Sequence, residues 1–216
     1  MKRRNFLKAS VLAAGAAVAG NFSFKTLAQA KDDLDRKVLL QNFPLFKQET
    51  PYTCGPASVR MCLAFLGHKL PEEEIASRMH TSSILGTAPW YLLPAYNKYL
   101  KEFNVGLIAK ERKGKDANNQ VIFDSIRINR PVIFNWMTEN CFKPGTAVGH
   151  YSVVIGFDQD KKEFAVADPC GSGSFHPLGF EQFWHLAAWS PKKDDLPGLK
   201  RKPVSLHLPP DLVVLT

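Results

Sequence analysis

Cys54 stands in the segment Gln48-Glu49-Thr50-Pro51-Tyr52-Thr53-Cys54-Gly55-Pro56-Ala57-Ser58, where a polar loop gives way to an apolar stripe of helical period. A thiol at the start of a helix has its thiolate form favoured by the helix dipole and by the free N–H groups of the first turn. Gly55 is expected to leave room for a substrate to approach. Gln48 precedes the thiol on a loop that can fold back beside it. Its amide N–H and the backbone N–H of Cys54 would then cradle the oxyanion of a tetrahedral acyl intermediate. A buried structural cysteine next to a surface glutamine would read the same way up to this point. The downstream half of the chain decides between the two.

A nucleophilic thiol needs a base, and the base needs an orienting partner. His150 opens the apolar run His150-Tyr151-Ser152-Val153-Val154-Ile155-Gly156-Phe157, and Asp168 closes the run Phe164-Ala165-Val166-Ala167-Asp168. If Gln159-Asp160-Lys161 form a three-residue hairpin loop, Asp158 pairs with Lys162 and Asp168 lies opposite Ser152. Asp168 then shares a face with His150 at a diagonal position, roughly 7–8 Å away at the backbone and within side-chain reach. Pro169 holds Asp168 extended. A loop one residue longer or shorter would put the two side chains on opposite faces. His68, His80, His176, His185 and His207 lack a carboxylate or thiol at useful spacing. Asn135 and Asn140 could orient a histidine but do not fit the hairpin. Trp184 is the expected shield of the His150–Asp168 pair.

The elements that must position these groups are legible from period and punctuation. Helices are expected over Cys54–Leu66, from Pro71 with Glu72, Glu73 and Glu74 on its dipole, over Pro89–Phe103, and over Gln120–Ile128. Pro94 argues for a break or a late start in the third. Strands are expected over 131–136, 150–157 and 164–168, with one more helix over 180–187. The tail from Pro191 should cross the surface, with Val213–Leu215 adding an edge strand. Helices first and antiparallel strands second make an α+β domain.

Taken together, these segments resemble the papain-like cysteine peptidases, and most closely the bacteriocin-processing, double-glycine-leader group and its stand-alone relatives. The matching pieces are Gln48…Cys54-Gly55-Pro56-Ala57, Gly149-His150-Tyr151-Ser152-Val153-Val154-Ile155-Gly156-Phe157-Asp158, Val166-Ala167-Asp168-Pro169 and Phe180-x-x-Phe183-Trp184. The resemblance spans roughly residues 41–190. It implies a papain-like fold with N-terminal helices packed on a C-terminal antiparallel sheet, and thiol-mediated cleavage of a peptide or amide bond. In that reading Cys54 is nucleophile, His150 base, Asp168 orienting group and Gln48 oxyanion donor, with no metal or organic cofactor. Phytochelatin synthase, a papain-like γ-glutamyl transferase, shares a similar Gln-to-Cys spacing, so acyl transfer is the alternative outcome. A catalytically inactive secreted binding protein on the same fold is the third reading.

Composition sets the compartment. The net charge of +8 is concentrated at the N-terminus, where Lys2, Arg3, Arg4, Lys8 and Lys25 stand without an acid in residues 1–30. The remaining +3 gives no reason to expect a nucleic-acid partner. Residues 1–30 read as an export signal: basic residues, a small-residue apolar run from Ala9 to Gly20, and an A-x-A site at Ala28-Gln29-Ala30. Arg3-Arg4-Asn5-Phe6-Leu7-Lys8 resembles the twin-arginine motif, with a general secretory signal as the alternative. The apolar run is too short for a stable membrane anchor, which takes ~20 residues. The expected organisation is a signal over 1–30, a catalytic domain over 31–190 and an extended tail over 191–216. The expected location is periplasmic or extracellular, after passage through an export translocase. Of the four cysteines, Cys141 and Cys170 could be brought together by the hairpin and bridge in an oxidising compartment, with both buried and free as the alternative.

Overall fold

The long apolar stretch that begins at Cys54 becomes a helix, and most of the described residues after Arg130 belong to one antiparallel sheet. A computed structural model describes residues 35–139, 142, 147–170, 175–187 and 211–216. The segment 1–30 expected to direct export, Asn140, Cys141, His207 and most of the tail expected over 191–216 lie outside these residues.

In chain order the elements are β1 (Lys37–Leu39), α1 (Cys54–Phe65), α2 (Glu72–Arg78), α3 (Pro89–Glu102) and β2 (Ala109–Lys113). There follow α4 (Asn119–Arg127), β3 (Val132–Glu139), β4 (Ala147–Asp158), β5 (Glu163–Ala167), β6 (Phe175–Gly179), α5 (Phe180–Ala187) and β7 (Asp211–Leu215). The sheet order is β2-β7-β3-β4-β5-β6, with β1 beside the far end of β4, and every pairing is antiparallel. The architecture is α+β.

Sequence explains the helix boundaries. Asn118 caps α4 by accepting the Val121 N–H at 3.1 Å. Pro89 starts α3, where its missing N–H is not needed. Pro94 does not break α3, contrary to expectation. The one bond it removes belongs to the carbonyl of Trp90, in the exposed first turn of the helix. On the sheet, Phe134, Phe157 and Phe164 form an aromatic layer with Phe123 of α4 and with Phe180 and Phe183 of α5, at centroid distances from 4.4 to 6.1 Å. On α1, Ser58 donates to the carbonyl of Tyr151 at 3.1 Å, which pins the helix to β4.

Two departures matter for the site. The β4–β5 loop has four residues, not three, because Asp158 pairs with Glu163. A bulge between Val154 and Gly156 then restores the ladder, so that Val154 faces Val166 and Val153 faces Ala167. The extra loop residue and the extra strand residue cancel. Ile155, the unpaired residue, gives its carbonyl to the N–H of Leu40 at 2.8 Å. The second departure is β7. It does not lie at an edge but between β2 and β3, with Leu212 and Val214 buried. Its apolar run, flanked by strands on both sides, completes the sheet from the chain's C-terminal end.

Candidate active site

Cys54 is the first residue of α1 and is almost wholly buried. Thr53, a residue type well suited to cap the helix, does not do so. Its hydroxyl turns back into the preceding loop, accepting the Thr50 N–H at 3.1 Å and meeting the Thr50 carbonyl at 3.2 Å. No side chain therefore caps the helix start, and its dipole and N–H groups remain available to an anion. The other free thiol, Cys62 on the same helix, is fully buried, and burial pushes its ionisation upward against the opposing bond from Tyr96.

β4 carries His150, the candidate base. His150 is paired across the sheet with Trp136 of β3, and its ring is buried. Nε2 lies 2.6 Å from Asp168 Oδ1, which leaves Nδ1 outside that bond, and Cys54 is the other side chain whose proximity favours the charged ring. Burial alone would lower the basicity of His150. Asp168 and Cys54 outweigh it and raise the value to about 9. For Asp168 burial pulls upward, but His150, the Cys170 N–H at 2.8 Å and His176 hold the carboxyl below its ordinary value. The pair is thus arranged as imidazolium and carboxylate.

Gln48 completes the group. It is buried, and its backbone N–H donates to the carbonyl of Pro169 at 2.9 Å, tying it to the segment that carries Asp168. One amide N–H donates to Thr50 O at 2.7 Å, and the second is uncommitted. Gln48, Cys54 and His150 line one cleft of about 590 Å³.

The cleft has walls that sequence reasoning missed. Ser82 and Gly86 close a tight loop through N–H to carbonyl bonds of 3.0 and 2.9 Å, and this loop presents Ile84 and Leu85 with 88% and 82% of their surface exposed. Trp90, 70% exposed, stands beside them at the start of α3. Three large apolar groups are thus left in water at the rim of the cleft. Gly55 has a role other than the expected one. A Cβ there would lie 3.0 Å from Thr87 and 3.3 Å from Tyr151, so the glycine lets the cleft wall close on α1.

Two further expectations change. Trp184 does not shield the His150–Asp168 pair; its indole N–H donates to Asn119 at 2.6 Å. The aromatic neighbour of His150 is Trp136, at 6.3 Å between ring centres and bonded through its N–H to Ser152 Oγ at 3.0 Å. His176 is not an isolated surface residue, since β6 brings it close enough to favour ionised Asp168. Both were hidden by register, which depends on loops and a bulge. Asn135 lines the cleft but is not the partner of His150. Among the described residues, His150, Asp168 and Cys170 place potential metal-ligand atoms within 4.8 Å of one another. Cys170 is held in a disulfide, so that triplet lacks a free thiolate. Its expected partner, Cys141, lies outside the described residues.

Residues 40–191 match the family model described as Peptidase_C39 like family. No curated protein sequence matches the chain. Among solved structures, a C39-like peptidase candidate from Bacillus anthracis is similar at 16% identity over 82% of this chain and 96% of its own, with a TM-score of 0.53. Xylellain, a cysteine protease from Xylella fastidiosa, is 12% identical over 94% of this chain and 93% of its own, with a TM-score of 0.52. The peptidase domain of Streptococcus ComA, a bi-functional ABC transporter, is 19% identical over 67% and 92%, with a TM-score of 0.50. At such identities the likeness is one of fold, and the fold is papain-like.

Proposed function

This chain belongs to the peptidase C39-like family of cysteine peptidases, and on that premise we propose that it is an exported enzyme cleaving a peptide or amide bond through a Cys54-His150-Asp168 acyl-enzyme mechanism. The observation that carries the reading is His150, bonded to Asp168 at 2.6 Å and lining one cleft together with Cys54 and Gln48. His150 holds the thiol proton and Cys54 thiolate attacks the carbonyl carbon. The oxyanion is held by the Cys54 N–H and the uncommitted amide N–H of Gln48. The tetrahedral adduct collapses as His150 protonates the leaving amine, giving a thioester on Cys54. Water, deprotonated by His150, then hydrolyses the thioester. Asp168 keeps Nε2 protonated and the ring aligned throughout. The exposed apolar rim of Ile84, Leu85 and Trp90 supports a peptide with apolar side chains as the substrate.

Export rests on residues 1–30, and the disulfide at Cys170 supports an oxidising destination. Among the described residues no helix is long and apolar enough to cross a membrane. The test uses p-nitrophenyl acetate, an activated ester that any competent acyl-enzyme accepts. A burst of nitrophenol with acetylated Cys54, lost in His150→Ala, is the expected result. Absence of acetyl-Cys54 would return the chain to a binding role. Adding amine acceptors then separates water from amine as the second nucleophile.

A further inference from the structure

Glu72 is the first residue of α2 and its side chain is wholly buried, whereas Glu73 and Glu74 beside it are exposed. A carboxylate is excluded from interiors unless something there uses it. Here Oε1 accepts the backbone N–H of Glu49 at 2.8 Å, the residue directly after Gln48. Oε2 has no hydrogen bond and lies 3.7 Å from Arg60 Nη1. Arg60 itself projects from α1, stacks on Phe46 at 4.6 Å and pairs with the Glu49 carboxylate at 2.9 Å. The other bonds of the Gln48–Cys54 loop are local: Gln48 to Thr50, and Thr50 to Thr53. Among the described residues the loop is tied to the rest of the molecule by Gln48 N–H to Pro169, by Glu49 N–H to Glu72 and, at its surface, by the Glu49 carboxylate to Arg60.

We propose that Glu72 is a positioning residue for the oxyanion site: it anchors the loop from beneath and so holds Gln48 at a fixed distance from Cys54. The inference rests on the role given above to Gln48. Burial raises the ionisation of Glu72, opposed by the Thr53 hydroxyl, the Glu49 N–H and Arg60 and reinforced by the Glu49 carboxylate. An acceptor oxygen at this site serves in either protonation state, so the bond and not the charge is the working feature.

Two reagents separate this role from a merely structural one. Acylation of Cys54 by p-nitrophenyl acetate passes through an oxyanion and expels nitrophenolate. Alkylation by iodoacetamide is a direct displacement of iodide and forms no oxyanion. Glu72→Met keeps the volume without an acceptor, and Glu72→Gln keeps both. The expected result is a loss of about 10²-fold in acylation for Glu72→Met, an alkylation rate within about 3-fold of wild type, and near wild-type rates for Glu72→Gln. In a Gln48→Ala background Glu72→Met should add less than about 3-fold, because the donor it positions is already gone. Equal acylation in the Met and Gln variants, a parallel fall in alkylation, or an unfolded Met variant would each overturn the proposal. Wild-type acylation no faster than Cys54→Ala would instead overturn the catalytic reading on which it rests.

Discussion

His150 sets the electrostatics of the site, and its position makes its titration a stability statement. The folded value of about 9 stands above the ordinary 6.5. The contribution of protonated His150 is therefore fully present below pH 6.5 and is lost as pH rises through 9. Wild type should lose melting temperature across that interval, and His150→Gln should show a flatter profile; parallel profiles would remove the ion pair. Asp168, depressed, works in the other direction: its contribution is present above the ordinary carboxylate range and lost as pH falls through its lowered value. In turnover, His150→Ala should cost about 10³–10⁴-fold. Asp168→Asn should be milder, because an amide oxygen still accepts the Nε2–H. Equal losses in kcat/KM would make the charge of Asp168, not its geometry, the operative property. Cys54, His150 and Asp168 could be singled out in the sequence because each bounds a clear apolar run, although His150 lies inside β4, which starts at Ala147 and not at the histidine. Glu72 was not. A Glu-Glu-Glu run at a helix start reads as dipole compensation, and only packing shows that one of the three points inward.

The pairing of β4 with β5 shows what element-level reading reaches and where it stops. A three-residue loop is the assumption that places Asp168 across from Ser152, and the loop has four residues. The bulge at Ile155 supplies the compensating step, so the ladder running to Val153↔Ala167 keeps the register that assumption requires. Neither feature has a strong signal in the letters; Gly156 is the one hint, as glycine within a strand marks a bulge or a close approach. Here it is a close approach. A Cβ at Gly156 would lie 2.6 Å from the Val38 carbonyl and 3.1 Å from the Leu39 backbone. Gly156→Ala should therefore dislodge β1 and destabilise the fold by about 1–3 kcal/mol in denaturant titration. An unchanged midpoint would mean that β1 contributes nothing to the bulged strand. The central place of β7 is hidden for a different reason. Its partners β2 and β3 lie about 100 and 80 residues earlier in the chain, and non-local pairing leaves no periodic trace near the strand itself.

At the scale of the whole chain, helices first and sheet second were readable from the change of period, whereas β7 enters the middle of the sheet from beyond residue 191, where the family match ends. What the letters concealed were the cleft walls, because Ile84 and Leu85 look like ordinary core residues until the tight loop at Ser82–Gly86 turns them outward, beside Trp90 exposed at the start of α3. The proposal of export has its own test. Changing Arg3 and Arg4 together to Lys should leave precursor in the cytoplasm, while normal appearance of protein starting near Lys31 would favour the general secretory route. The central claim, cleavage of a peptide bond through Cys54, is tested most directly by digesting a peptide library with the protein of residues 31–216 and reading the products by mass spectrometry. The account predicts new peptide termini at internal bonds, flanked by apolar side chains, and their disappearance with Cys54→Ala. Cleavage that persists in Cys54→Ala would contradict it.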